Sequence, residues 1–214
     1  KKVTEKNVKS SDLNQRAKWL FNLLKIEFAQ GNYKVVLAIA NELKTLSPKE
    51  KNTLFYHRYL FDTYYRLRNN EKMIEEIVAI EKIFSQEFQD MPRYTAVMAI
   101  GSQKSDNNII LAYGEKINAL QNKTKSYTQT PFVEFTLYEA YLAKNENKKA
   151  YEVIKSLENR TLSANDRSRQ KYLLGNVLSR LWKNDEAKKA YQEAINADKN
   201  SAWAKLAATA KKVE

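Results

Sequence analysis

Cysteine is absent from the 214 residues. That excludes disulfides, zinc sites of the Cys type and thiol catalysis, and it suits cytoplasm and bacterial periplasm equally. Four glycines and three prolines are too few for a β-rich fold with many tight turns. A single histidine leaves no imidazole pair to hold a metal. No glycine-rich phosphate loop and no G-x-S-x-G motif occurs. No run approaches the ~18 apolar residues of a membrane span, so a transmembrane role within this segment is excluded.

What is present fits a helical globular chain. It is 43% hydrophobic and 29% charged, with thirteen Tyr among abundant Lys, Glu, Leu and Ala. It begins Lys1-Lys2 and ends KKVE straight after a helical pattern, which reads as a mature chain or a piece of a longer protein, with any signal peptide or anchor lying upstream. Net charge is +12, so nucleic acid is a candidate partner. The excess is dispersed, however: +5 over residues 1–50, 0 over 51–100, +2 over 101–150 and +5 over 151–214. A Lys- and Asn-rich solvated surface accounts for it, whereas nucleic-acid binding requires a continuous basic stripe and steep salt dependence.

The strongest signal is an internal period. AQGNYKVVLAIANEL, RLRNNEKMIEEIVAI, QKSDNNIILAYGEKI, AKNENKKAYEVIKSL and WKNDEAKKAYQEAIN each place small polar residues before an apolar stripe. Equivalent positions are Val36, Met73, Ile110, Ala150 and Ala187, at intervals of 37, 37, 40 and 37. A second stripe precedes each junction, as in Leu20, Leu23, Leu24 or Leu174, Gly175, Leu178, with the 3.6-residue period of a buried helix face. Pro48, Pro92 and Pro131 fall between units, where proline begins a helix or ends a connection. The period predicts one helical-repeat domain over 1–214, with αα-hairpins at roughly 11–47, 48–90, 91–127, 131–161 and 164–199 and a terminal helix at 201–213 that caps the array or receives further repeats.

These units resemble the tetratricopeptide repeat, whose signature runs W-x2-L-G-x2-Y, then A-x3-F, then often P. The fifth unit carries the resemblance best, with Leu174-Gly175-x2-Leu178 followed by Ala187-x3-Tyr191-x2-Ala194. The third is weakest, having Gly101 and Gly114 where aromatics are usual. The resemblance implies an all-α, right-handed α-solenoid of about five hairpins plus a C-terminal capping helix. It also implies that Gly175 faces Ala187 where two helices cross closely. The bulkier pairs Leu24–Val36, Phe61–Met73 and Met98–Ile110 predict wider separations in the first three units, near or beyond the upper end of ~8–10 Å.

Candidate chemistry is sparse. His57 takes the place of the motif's tryptophan and reads as a packing residue against the neighbouring helix. Glu75-Glu76 and Asp185-Glu186 read as helix-surface or helix-start acids, whereas general acid–base work needs a dry cleft. No catalytic, metal or cofactor residue is assigned.

In the tetratricopeptide family the first helices line a concave groove. The resemblance places Phe21, Lys25, Phe55, Arg58, Asp62, Tyr65, Arg66, Phe132, Phe135, Glu139, Arg169, Tyr172, Asn176 and Arg180 there as partner-binding residues. Aromatic side chains and arginine are enriched where partners anchor, although some of these aromatics are expected to pack between hairpins. The family's carboxylate clamp needs Lys and Asn on one unit, Asn on the next, and Lys and Arg on the third, where this chain has Phe21 and Lys25, then Tyr59, then Pro92 and Ala96, so that role is disfavoured. The recurring polar pairs of a pentatricopeptide RNA code are also missing. The expected function is a non-catalytic protein–protein interaction scaffold for a protein or peptide, without a small-molecule substrate, and self-association through terminal repeats is a further expectation. The closing ADKNSAWAKLA resembles periplasmic repeat proteins of campylobacteria, which implies an envelope or flagellar-motor assembly and favours periplasm over cytoplasm. The alternatives are a basic helical-repeat nucleic-acid-binding module and the peptide-sensing repeat domain of a transcriptional regulator.

Overall fold

The structure is a computed structural model and describes residues 13–46, 53–84, 90–127 and 130–213. Among these there are eleven α-helices, one short 3-10 turn and no strand. They fall into two compact units divided at residue 90. The first holds α1 (Leu13–Ala29), α2 (Tyr33–Leu46), α3 (Leu54–Arg66) and α4 (Asn70–Phe84). The second holds α5 (Met91–Lys104), α6 (Asn107–Thr124), α7 (Phe132–Ala143), α8 (Asn147–Lys155), α9 (Ala164–Arg180), α10 (Asn184–Ala197) and α11 (Ala202–Val213).

The 37-residue period has a local cause. Each hairpin turns through one left-handed residue: Gly31, Arg68, Ser105, Asn145 and Trp182, with φ of 77°, 56°, 55°, 59° and 62°. The next residue's N–H then donates back to a carbonyl five residues earlier: Asn32 to Glu27, Asn69 to Tyr64, Asp106 to Gly101, Glu146 to Tyr141 and Lys183 to Leu178, at 2.8–3.0 Å. This is the Schellman closure, which satisfies the orphan carbonyls of a helix end. The carbonyls of Asn32, Asn69, Asp106, Glu146 and Lys183 then accept from Val36, Met73, Ile110, Ala150 and Ala187, starting the second helix. The periodic apolar positions are therefore the first buried residues after five like turns. The one interval of 40 belongs to the third hairpin, whose α6 runs 18 residues and ends on another left-handed residue, Lys125.

Helix starts follow the capping chemistry. Thr53, Asp90, Asp106 and Ser163 accept from backbone N–H groups in the first turns of α3, α5, α6 and α9. Pro92 lies in the first turn of α5 and Pro131 is the N-cap of α7. Pro48 lies outside the described residues.

In the first unit Ala17, Leu20, Leu24, Val36, Ile39, Leu43, Tyr56 and Leu60 form one buried cluster. In the second, Leu137, Tyr138, Ala150, Ile154, Leu174, Val177, Leu178, Ala187 and Tyr191 are buried. Two tyrosines tie neighbouring hairpins through a hydroxyl to a helix carbonyl: Tyr56 Oη donates to Ala40 O at 3.0 Å and Tyr138 Oη to Leu173 O at 2.9 Å.

Gly175 corrects one expectation. Its tight neighbour is Tyr191 rather than Ala187: a Cβ at 175 would lie 2.4 Å from Tyr191 Cε1, and the three nearest atoms all belong to that ring. Ala187 is small and buried, but the space that glycine leaves is filled by the aromatic one turn further along α10. Gly114 works likewise, since a Cβ there would lie 2.6 Å from Leu137 Cδ2 on α7.

Candidate functional site

In the first unit the candidate residues follow one face of α1 and α3. Lys25 Nζ stands 4.6 Å over the Phe21 ring, and Phe21 meets Tyr59 edge-on at 6.3 Å. Phe21 is thus half-buried against α3. On α3 the spacing 55, 58, 62, 65 and 66 brings Phe55, Arg58, Asp62, Tyr65 and Arg66 to one side of the helix. Phe55, Tyr65 and Arg66 are exposed, and Arg58 and Asp62 are half-buried.

In the second unit α7, α9 and α11 supply the corresponding face. Phe132 is exposed at the start of α7. Phe135 is only 3% exposed, so its ring is withdrawn from direct contact with a partner and forms the floor under Arg169. The Arg169 guanidinium carbon lies 4.2 Å from the Phe135 centroid and 4.9 Å from the Trp203 centroid. Its Nη2 donates to Glu139 Oε1 at 3.0 Å. Tyr172 lies 5.8 Å from Trp203 and 6.1 Å from Tyr191. Tyr191 Oη donates to Asn176 Oδ1 at 2.9 Å, which turns Asn176 toward α10. Arg180 is exposed in the last turn of α9. The structure brings Phe135, Glu139, Arg169 and Tyr172 together and adds Trp203, which the periodicity did not mark because it stands outside the five hairpins.

Charges on these faces are mixed. Glu139 sits beside Arg169, Asp62 accompanies Arg58 and Arg66 on α3, and elsewhere Lys171 pairs with Glu158 and Glu193. A buried pair joins α7 to the end of the fourth hairpin: Arg160 Nη1 donates to Glu134 Oε1 at 2.6 Å, with Tyr127 4.7 Å from the guanidinium. Burial raises the Glu134 carboxyl above its ordinary 4.5, outweighing its own backbone hydrogen bond and Arg160.

The single histidine departs from a purely apolar role. His57 Nδ1 is 2.7 Å from Glu76 Oε2, within a solvent-open cleft of about 410 Å³ that α2, α3 and α4 form with Ala40, Lys44, Tyr56 and Tyr64. Glu76 therefore leaves the helix surface assigned to it, while Glu75 stays there with Lys72. Because a carboxylate only accepts, Nδ1 carries the proton and Nε2 is left as the ring's acceptor in the neutral form. That Nε2 is buried, where a substrate proton cannot reach it. Among the described residues no three metal-ligating side chains cluster, and no helix is long and apolar enough to cross a membrane.

Family models and curated proteins give no match to the chain. Solved structures do. YrrB, described as a TPR protein with an unusual peptide-binding site, superposes with a TM-score of 0.60 at 11% identity, covering 99% of this chain and 96% of its own. A MamA structure gives 0.54 at 12% identity, covering 86% of this chain and 92% of its own. MamA from Desulfovibrio magneticus RS-1 gives 0.50 at 14% identity, covering 87% and 97%. At such identities the likeness concerns architecture alone: this chain has the all-α helical-repeat fold of a tetratricopeptide-repeat solenoid.

Proposed function

We propose that the chain is a non-catalytic scaffold that binds a partner protein or peptide through the first-helix faces of its units. The observation that carries this is the set of aromatic and arginine side chains held outside the core: Phe55, Tyr65 and Arg66 on α3, and Phe132, Arg169, Tyr172 and Arg180 on α7 and α9. Such groups gain most from burial against a partner. A fold shared with YrrB, which is described as having a peptide-binding site, supports the reading. Mixed charge on the same faces favours protein over nucleic acid as the partner.

A finer reading places the chain in a bacterial envelope assembly. It rests on the resemblance of ADKNSAWAKLA to campylobacterial periplasmic repeat proteins, among them the flagellar-motor scaffold paralysed-flagella protein A. The exposed Leu206 on α11 supports self-association or stacking of a further repeat at that end.

The test is site-specific photo-crosslinking in cells of the source organism, with the crosslinker at Phe55 or Phe132 and, as a control, at Lys189 on the outer face of α10. One partner captured from the first two positions and not from the third supports the reading. Capture from Lys189 alone would move the contact to the outer face and sink it.

A further inference from the structure

We propose that Arg169 is the recognition point for a side-chain carboxylate of an acidic partner peptide, and that Glu139 occupies this point until the peptide arrives. The proposal rests on the reading that the first-helix face of the second unit binds a peptide, and it gives that peptide a chemistry.

Arg169 is built for recognition more than for packing. Rings from two other helices, Phe135 of α7 and Trp203 of α11, hold its guanidinium at 4.2 and 4.9 Å. Its orientation is therefore set before any ligand arrives, and the ordering cost of a long side chain is already met within the fold. A guanidinium offers five N–H donors in a fixed fork. Here Nη2 makes a bond to Glu139; the Nε–H is buried with no partner and lies out of a ligand's reach, so the two Nη groups are the donors that a partner meets. An apolar side chain would fill the space between the two rings without leaving a donor unmet. A planar cation with spare donors is complementary to a carboxylate, which it can take bidentately.

The present occupant is easily displaced. The Glu139 side chain is 63% exposed against 27% for Arg169, so the pair is a surface ion pair of small strength. An incoming carboxylate that also buried the rim of Trp203 and Tyr172 would desolvate the pair and win the exchange. Arg180 stands eleven residues further along α9, which is three turns and about 16 Å on the same side of the helix. An extended peptide reaches the second cation with an acid about five residues from the first. Because Arg180 offers a second cation beyond Arg169 on the same side of α9, a bound chain continues past Arg169, and the carboxylate is assigned to a side chain rather than to a C-terminus.

The test uses the full 214-residue chain and an array of acetylated, amidated peptides of mixed apolar and acidic composition, with matched copies in which Gln and Asn replace Glu and Asp. A further arm carries free C-terminal carboxylates. Binding should follow the acidic copies, and the best of them should lose about tenfold or more on Glu→Gln replacement. Arg169→Gln should lose the same factor and Arg169→Lys less, because lysine keeps charge without the fork. Glu139→Ala, at an exposed position, should tighten acidic peptides several-fold, which a merely structural Arg169 would not do. Equal binding of acidic and amide copies, dependence on the free C-terminus alone, or unchanged affinity in Glu139→Ala would each overturn the inference and leave the scaffold reading standing. Failure to bind any peptide would overturn the inference, while the crosslinking at Phe55 and Phe132 decides the scaffold reading separately.

Discussion

The ring of Tyr191 lies where a side chain on Gly175 would have to go, 2.4 Å from the place of its Cβ. Helix propensity alone favours alanine at position 175 by up to ~1 kcal/mol. The ring cannot move aside freely, because it is buried and its hydroxyl is bonded to Asn176. Gly175→Ala should therefore destabilise the protein by about 1–3 kcal/mol. Chemical denaturation measures this, and combining it with Tyr191→Leu should cost less than the sum of the two changes, because the smaller side chain vacates the space.

Trp182 is the counterpart of Gly31 in the fifth turn, with φ of 62° and 90% exposure. A bulky residue in the left-handed region is strained by roughly 1–2 kcal/mol. So exposed an indole regains little by packing. Trp182→Gly should raise stability by about 1 kcal/mol, read as an increase in Tm.

The same turns set what the sequence reveals. The all-α repeat class is legible because Val36, Met73, Ile110, Ala150 and Ala187 each occupy the place that follows the same closure. The left-handed residues are not, since Gly, Arg, Ser, Asn and Trp share no chemistry and the backbone imposes the conformation on all five. The sequence alone reads Glu76 as a surface acid like Glu75, but neighbouring helix residues differ by about 100° in direction, enough to turn one to solvent and the other to His57. The period puts Arg169 on the side of α9 away from the core stripe, yet its setting depends on how α7 and α11 lie against α9, which no local pattern encodes.

The Arg160–Glu134 pair is largely out of solvent. Removing one partner leaves the other charge buried, so Arg160→Ala should cost about 3–5 kcal/mol, and Glu134→Leu with Arg160→Met should recover much of it. The pair also makes a pH prediction. The folded Glu134 carboxyl sits above its ordinary 4.5, so the folded state holds this proton more tightly than the unfolded chain does. Its contribution is fully present below that ordinary value and is lost as pH rises through the raised one. Stability relative to Glu134→Gln should therefore fall as pH rises above the ordinary 4.5, measured by urea denaturation at each pH.

Tyr56 extends the same logic to alkaline solution. Burial foremost, then the nearby Glu76 charge, pushes its hydroxyl from 10.0 up to about 12. Its stabilising contribution should persist below about 10 and disappear between about 10 and 12. Tyr56→Phe should cost about 1 kcal/mol near neutrality through loss of the bond to Ala40, and should flatten that alkaline decline. A stability–pH profile of the two proteins distinguishes them.

Five hairpins that turn through one backbone conformation share interchangeable joints. A recombination event between the codons for any two of Gly31, Arg68, Ser105, Asn145 and Trp182 would add or remove whole hairpins while each new junction kept its closure, its first buried residue and its reading phase. Selection could thus alter the length of such an array by gene duplication or deletion alone, leaving the chemistry of each face to be tuned separately.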